Sequence, residues 1–431
     1  MSAGAGPILL HVAIIVLAAK LVGELFERMR QPAVVGELLV GAVLGASLLG
    51  PYIGMPDLSG TLDGEGAIIE TLAALGAIVL LFEVGLESDV KALRKVGTSS
   101  LLVALIGVVA SFAVGFGASV ALASWWPSWQ AANEALPAYL LHVFTGAALT
   151  ATSVGITARV LADMKRLQTA EARTILGAAV LDDVAGLIIL AVVAALIQGA
   201  MGGSSLGLID VLGIAGLAVL FLAVAVIGGL RIVPRAYDAL VSRFRIAGFP
   251  VALAFGFTLL MAYAASLAGL ADIVGAFAAG LLLAQTRHAP SLFADVKPIG
   301  AILIGFFFVT IGMKVDLGAF RAEAGPILLA GLALAAVAVV AKLACGLGVV
   351  QGQARRLPVG VGMVPRGEVG LIFASMGLQS GLLGSTLYAT VVFVMLLTTF
   401  VTPLWLMRLG DRFTPDPTQK EGENLARVME A

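Results

Sequence analysis

The stretch GAAVLDDVAGLIILAVVAAL (177–196) sets two adjacent carboxylates, Asp182 and Asp183, inside an otherwise apolar run. In water such a helix would be ordinary. In a bilayer an ionisable side chain is expensive to hold, and it marks a functional site by default. Whether this segment lies in lipid therefore decides the fold, and with it the class of function.

Composition places it in lipid. The 431 residues are 60% hydrophobic and only 12% charged, against about 25% charged for soluble domains. Mean hydropathy is +1.05. The 52 glycines suit helices that must approach one another closely in a membrane. Net charge is −1, and the basic residues are scattered, with no stripe of the kind nucleic acid requires. The single cysteine, Cys345, excludes a disulfide framework within the chain. The opening MSAGAGPILLHVAIIVLAAK has no basic region ahead of its apolar run, so it reads as a retained span and not as a cleaved signal.

A membrane-crossing helix needs about 20 predominantly apolar residues. On that ruler the chain offers thirteen candidates: 8–26, 33–51, 67–87, 98–123, 138–159, 173–198, 206–230, 249–268, 270–286, 299–314, 326–350, 358–379 and 385–408. The fold class is an all-α membrane protein. Lys and Arg concentrate on the cytoplasmic side of membrane proteins. Alternate loops carry twenty-one of them, among them Arg28, Lys91, Arg94, Arg235 and Arg355, while the opposite loops carry Lys314 and Arg321. This asymmetry predicts the N-terminus outside and the C-terminus in the cytoplasm.

Two segments resemble each other. LFEVGLESD (81–89) and FFVTIGMKVD (307–316) each place Gly-x-x-x-Asp after aromatic and aliphatic residues, as Gly85 with Asp89 and Gly312 with Asp316. The topology puts them on opposite faces, which predicts an inverted-topology repeat, the architecture of many secondary transporters. The repeat pairs 138–159 with 358–379 and leaves 206–230 as the connector. The first of these contains FTGAALTATSVGI (144–156), with Thr152 and Ser153; the second contains GVGMVPRGEVGLI (360–372), with Pro365, Arg366 and Glu368. Proline breaks or bends a helix, and paired interruptions point to a transporter binding site. Two crossed discontinuous helices are expected there, with their dipole ends offset by Glu368 and by the hydroxyls of Thr152 and Ser153.

Adjacent helical residues point about 100° apart, so Asp182 and Asp183 serve different ends. Lys342, alone in AVAVVAKLACGLGVV (336–350), is the natural counter-charge. Lys20, near the end of the first span, is expected to snorkel to the interface. A poised carboxylate holds either a proton or a small hard cation, and that competition is itself an exchange mechanism. Asp272 either caps the short ninth span or lines a cavity. Two carboxylates adjacent on one helix do not suit an aspartic protease, which needs them converging from different helices.

The segments LDDVAGLI, TATSVGI, GAFAAGLLLA, FFVTIGMKVD and MVPRGEVGLI together resemble monovalent cation:proton antiporter family 2, above all its NapA-like sodium/proton antiporters and more distantly the NhaA-like and Kef-like transporters. The likeness covers nearly the whole chain. It implies a homodimer in which a core bundle moves like an elevator against a scaffold. Segments 8–87 and 249–314 would form the scaffold, 98–198 and 326–408 the core, and 206–230 the linker; 409–431 would be a cytoplasmic tail. By the same resemblance Asp183 carries the cation and the proton, Asp182 partners Lys342, and Thr152, Ser153, Arg366 and Glu368 lie at the crossover. The cation's ligands would come from Asp183, Asp182, Thr152 and Ser153. No cofactor is expected beyond the transported Na+, Li+ or K+ and H+, and no attached nucleotide-binding domain is expected. Two aspartates, where electroneutral relatives have Asn-Asp and Kef-like ones Gln-Asp, imply electrogenic exchange in an inner membrane. A K+/H+ antiporter and a sodium-coupled symporter of an organic anion are the alternatives.

Overall fold

A computed structural model describes residues 5–29, 31–58, 64–87, 97–166, 169–202, 208–244, 246–268, 270–350 and 354–414. These residues are helical, with turns and short 3-10 segments and no strand among them. Among the described residues eight helices are long and apolar enough to cross a membrane, so the chain is a multi-pass membrane protein. In chain order the helices are α1 (Ala5–Arg28), α2 (Ala33–Leu44), α3 (Gly64–Glu87) and α4 (Thr98–Trp125). Next come α5 (Ala138–Ala148), α6 (Val154–Asp163), α7 (Ala170–Met201) and α8 (Leu208–Arg243). The second half supplies α9 (Phe249–Leu267), α10 (Asp272–Leu283), α11 (Ala289–Met313) and α12 (Leu317–Leu343). It ends with α13 (Arg356–Gly362), α14 (Glu368–Gln379) and α15 (Ser385–Arg408).

Helix α4 shows how such a sequence packs without a polar exterior. Its buried positions include Ser99, Val103, Gly107, Ser111, Gly115 and Ser119, a stripe of mostly small residues four apart. Such a stripe lets neighbouring backbones approach. Leu101, Leu105 and Val109 on the other side are more than half exposed and face lipid.

The helices pack in two groups. In the first, α2 and α3 pack on α11, α10 packs on α3 and α9, and α1 packs on α2. Two glycine crossings set its spacing. A Cβ added to Gly41 of α2 would stand 2.9 Å from Gly312 Cα on α11, and one added to Gly85 of α3 would stand 3.1 Å from Gly280 Cα on α10. Gly85 and Gly312 are the glycines of the two similar segments; Asp89 lies outside the described residues. In the second group α4 packs on α5, α7 and α12, α12 packs on α15, and α7 packs on α5, α6, α13 and α14. Helix α8 touches both groups, packing on α7 of the second and on α10 and α9 of the first.

Several boundaries differ from those expected. Helix α8 continues to Arg243 and α11 begins at Ala289, although hydropathy ends the first at 230 and starts the second at 299. Apolar length measures only the membrane part, and both helices run on as amphipathic ends. Tyr237 is buried with its hydroxyl donating to Pro250 O at 2.8 Å, and Leu292 and Val296 are buried on α11. Segment 33–51 is not one helix. It stops at Leu44, and a single turn follows at Gly50–Ile53. Most of the expected tail, 415–431, and the basic loop with Lys91 and Arg94 lie outside the described residues.

Candidate ion site at two crossed half-helices

Helix α7 starts on a capped turn, with Thr169 Oγ1 accepting from Ala172 N at 3.2 Å, and carries the aspartate pair to mid-length. Asp182 is 1% exposed, while Asp183 is half-buried. Lys342 stands in the last turn of α12, where the backbone passes into a 3-10 turn at Ala344–Gly348. A cation there also faces the carbonyl end of the helix, which favours it. Its Nζ lies 3.2 Å from both Oδ1 and Oδ2 of Asp182, with neither side chain exposed. Gly107 on α4 leaves the room, since a Cβ there would stand 3.6 Å from Nζ and 2.8 Å from Cys345 Sγ.

Beside α7 two helices break and cross. α5 ends at Ala148 and α6 begins at Val154; α13 ends at Gly362 and α14 begins at Glu368. The two unwound strands bond to each other. Ser153 N donates to Pro365 O at 2.8 Å, Thr152 Oγ1 to Met363 O at 3.3 Å, and Thr157 Oγ1 to Gly362 O at 2.7 Å. The orphan carbonyls ending α13 are thus satisfied by hydroxyls from the opposite half-helix. Gly367 has to be small, because a Cβ there would stand 2.6 Å from Ser153 Oγ.

Arg366 serves the other carbonyl end. It is 1% exposed and donates from Nη1 to Leu149 O and, at 3.2 Å, to Ala151 O, and from Nη2 to Ala338 O at 3.3 Å. A guanidinium has donors only, so Arg366 closes the end of α5 and offers no ligand to a cation. Thr399 Oγ1 holds its carbonyl at 2.5 Å. Glu368 opens α14, and its side chain lies outside the described residues. Asp272 opens α10, accepts from Ile273 N at 2.9 Å and also lines a cavity.

Five charged residues, Lys314, Glu70, Lys20, Glu37 and Glu171, make contacts that the sequence alone does not announce. Lys314, read as a loop cation, is 2% exposed, with Nζ 2.6 Å from Glu70 Oε1. Lys20 stays 46% exposed, as a snorkelling lysine does, with its Nζ 3.6 Å from Glu37 Oε1. Glu171, fully buried, accepts from Arg355 N at 2.9 Å and from Thr414 Oγ1 at 2.7 Å, which ties the end of α15 to the start of α7. Glu37 and Glu70 lie alone in apolar runs, the same signal that marked the aspartate pair. The contacts of Glu171 carry no local signal, because its partners are 184 and 243 positions away.

The transmembrane sodium/hydrogen exchanger family matches residues 13–410. The chain belongs to that family. It is a membrane transporter of the secondary type and not an enzyme. Among its relatives is a high-affinity Na+/H+ antiporter, NhaS3, of Synechocystis sp., 36% identical over 93% of this chain and 89% of that one. Another is the Na+/H+-K+ antiporter GerN of Bacillus cereus, 35% identical over 91% and 94%. Among solved structures, the sodium proton antiporter MjNhaP1 of Methanocaldococcus jannaschii shares the fold, with a TM-score of 0.66 at 17% identity, covering 94% of this exchanger chain and 96% of the other.

Proposed function

We propose that the chain exchanges a monovalent cation, Na+ or Li+, for protons, with both competing for Asp183. One observation carries the reading. The adjacent aspartates are divided: Asp182 is held by Lys342 in a fully buried pair, and Asp183 is the half-buried member on a helix that touches all four half-helices of the crossover. Gly186, one turn beyond Asp183, faces the first turn of α14, where an added Cβ would stand 3.8 Å from Val369 Cγ1. A carboxylate and unwound backbone carbonyls are the oxygen donors a small hard cation takes, while the N-terminus of α14 favours the ionised carboxylate once the cation has left.

The broken helices count as single crossings in this reading, which gives thirteen crossings with the N-terminus outside and the C-terminus in the cytoplasm of a bacterial inner membrane. Helices α1–α3 and α9–α11 act as the scaffold and as the face of a homodimer. Helices α4–α7 and α12–α15 act as the moving core, and α8 joins them. The glycine crossings Gly41–Gly312 and Gly85–Gly280 occupy matching places in the two halves, which supports an inverted repeat. As the resemblance of the two-aspartate pair to electrogenic antiporters implies, exchange is electrogenic, with more protons than cations moved per cycle.

A potassium/proton exchanger is the second reading, favoured by the Na+/H+-K+ antiporter among the relatives. Proton flux into proteoliposomes carrying a trapped pH dye, driven in turn by Na+, Li+ and K+, separates the two. A sodium or lithium response supports the first reading, a response to potassium alone supports the second, and no response to any of them overturns both.

A further inference from the structure

Among the hydrogen bonds that join the two helix groups, three tie α3 and α11 to α14 and α15. Gln379 Nε2 of α14 donates to Glu70 Oε1 of α3 at 2.6 Å. Lys314 Nζ, at the end of α11, donates to Ser375 Oγ of α14 at 3.4 Å. Tyr388 OH of α15 donates to Ile311 O of α11 at 2.7 Å. All three lie at the same end of the molecule, where α3 and α15 begin and α11 and α14 finish. That is the outer end in the topology proposed above.

Glu70 and Lys314 are the centre of this cluster. Glu70 Oε1 accepts from Lys314 and Gln379 together, each at 2.6 Å. Lysine is rarely buried unless paired, and the pair's reach into α14 makes it a connection between the groups and not only an internal brace. The cluster borders a cavity of about 200 Å³ that is lined also by Asp272, Thr310 and Leu190. Leu190 is seven residues beyond Asp183 on α7, hence on the same helical face and about 10 Å further out. The cavity therefore lies on the line from the outer surface to Asp183.

We propose that Glu70 and Lys314 form an outer clasp on the cation's route, gripping Ser375 and Gln379 of the core and releasing them each time the core exposes Asp183 to the outside. The clasp rests on the two-group exchange reading and adds the residues that set how often the outer path opens. Glu70 and Lys314 both belong to the first group, so the charged pair stays together while its contacts to Ser375 and Gln379 of the core break and re-form. Losing one member of the pair leaves the other charge buried and unpaired. While the clasp is closed, the Lys314 ammonium also stands across the cation's path and repels it.

The test uses Leu190→Cys in the full-length protein. Native Cys345 is fully buried, so a membrane-impermeant methanethiosulfonate added outside proteoliposomes reports on position 190. Lys314→Gln and Glu70→Gln are expected to speed modification severalfold and to change the outside half-saturating sodium concentration. The swapped pair Glu70→Lys with Lys314→Glu is expected to bring both back toward wild type, which separates loss of the clasp from loss of folding. In a second preparation Glu70→Cys with Gln379→Cys is joined by a short bifunctional thiol reagent, and exchange is expected to stop and to return on reduction. Unchanged modification in the single variants, or full-rate exchange with the bridge in place, would overturn the clasp. If the unmodified protein moves no protons in response to any cation, the exchange reading fails instead, and the modification rates still decide whether the clasp opens.

Discussion

The ammonium of Lys342 lies equidistant, at 3.2 Å, from the two oxygens of Asp182, and neither side chain reaches solvent. Attraction in a low-dielectric interior offsets the desolvation of two charges only when both are present, so removing one partner costs about 3–5 kcal/mol. Asp182→Asn and Lys342→Met should each lower the thermal unfolding temperature of the detergent-solubilised protein markedly. The double variant should recover most of the loss. Additive losses in the double variant would mean the two charges are not coupled.

Arg366 completes the broken end of α5 by donating to the carbonyls of Leu149 and Ala151. Lysine places one compact ammonium where the guanidinium offers a planar fork. Arg366→Lys should therefore leave at least one buried carbonyl unsatisfied, at about 1–3 kcal/mol. Thermal unfolding should detect this, and sodium-driven proton flux should fall with it. Unaltered stability and flux would show that the fork is not needed.

The Gly41–Gly312 crossing leaves no room for a side chain. A Cβ on Gly312 would stand 2.9 Å from Gly41 Cα, and overpacking of this kind costs about 1–3 kcal/mol. Gly312→Val should reduce folded yield and unfolding temperature. Gly256, where an added Cβ meets nothing within 4 Å, should tolerate alanine.

Competition between proton and cation for one carboxylate has a definite sign. Lowering the pH loads Asp183 with protons, so the half-saturating sodium concentration should rise as pH falls, approaching about tenfold per pH unit where the proton form dominates. Raising the pH should bring it to a plateau. Initial rates at a series of sodium concentrations and pH values check this, and a half-saturating concentration that does not move with pH would contradict competition.

The legible part of this architecture was whatever a single helix declares by itself. Segments read at 98–123, 249–268 and 385–408 lie on Thr98–Trp125, Phe249–Leu267 and Ser385–Arg408, because in lipid apolar length and helix are nearly the same thing. Pro365 with Arg366 and Gly367 marked the break before α14, and Asp182 with Lys342 stood out as charges in oil. Helix ends beyond the membrane were not legible, since α8 and α11 continue on ordinary amphipathic periodicity. Long-range pairing was hidden as well. Lys314 looks like a loop residue until Glu70, 244 positions away, is placed beside it. The use of Arg366 also depends on carbonyls more than 200 positions away, which no local pattern announces.

The central claim is that Asp183 is the residue at which cation and proton exchange. It is tested most directly by proton flux in proteoliposomes containing wild type or Asp183→Asn, with sodium, lithium or potassium added outside. The expected result is a cation-driven pH change in wild type that disappears in Asp183→Asn while the variant remains folded in detergent. Cation-driven flux at the wild-type rate in Asp183→Asn would contradict it.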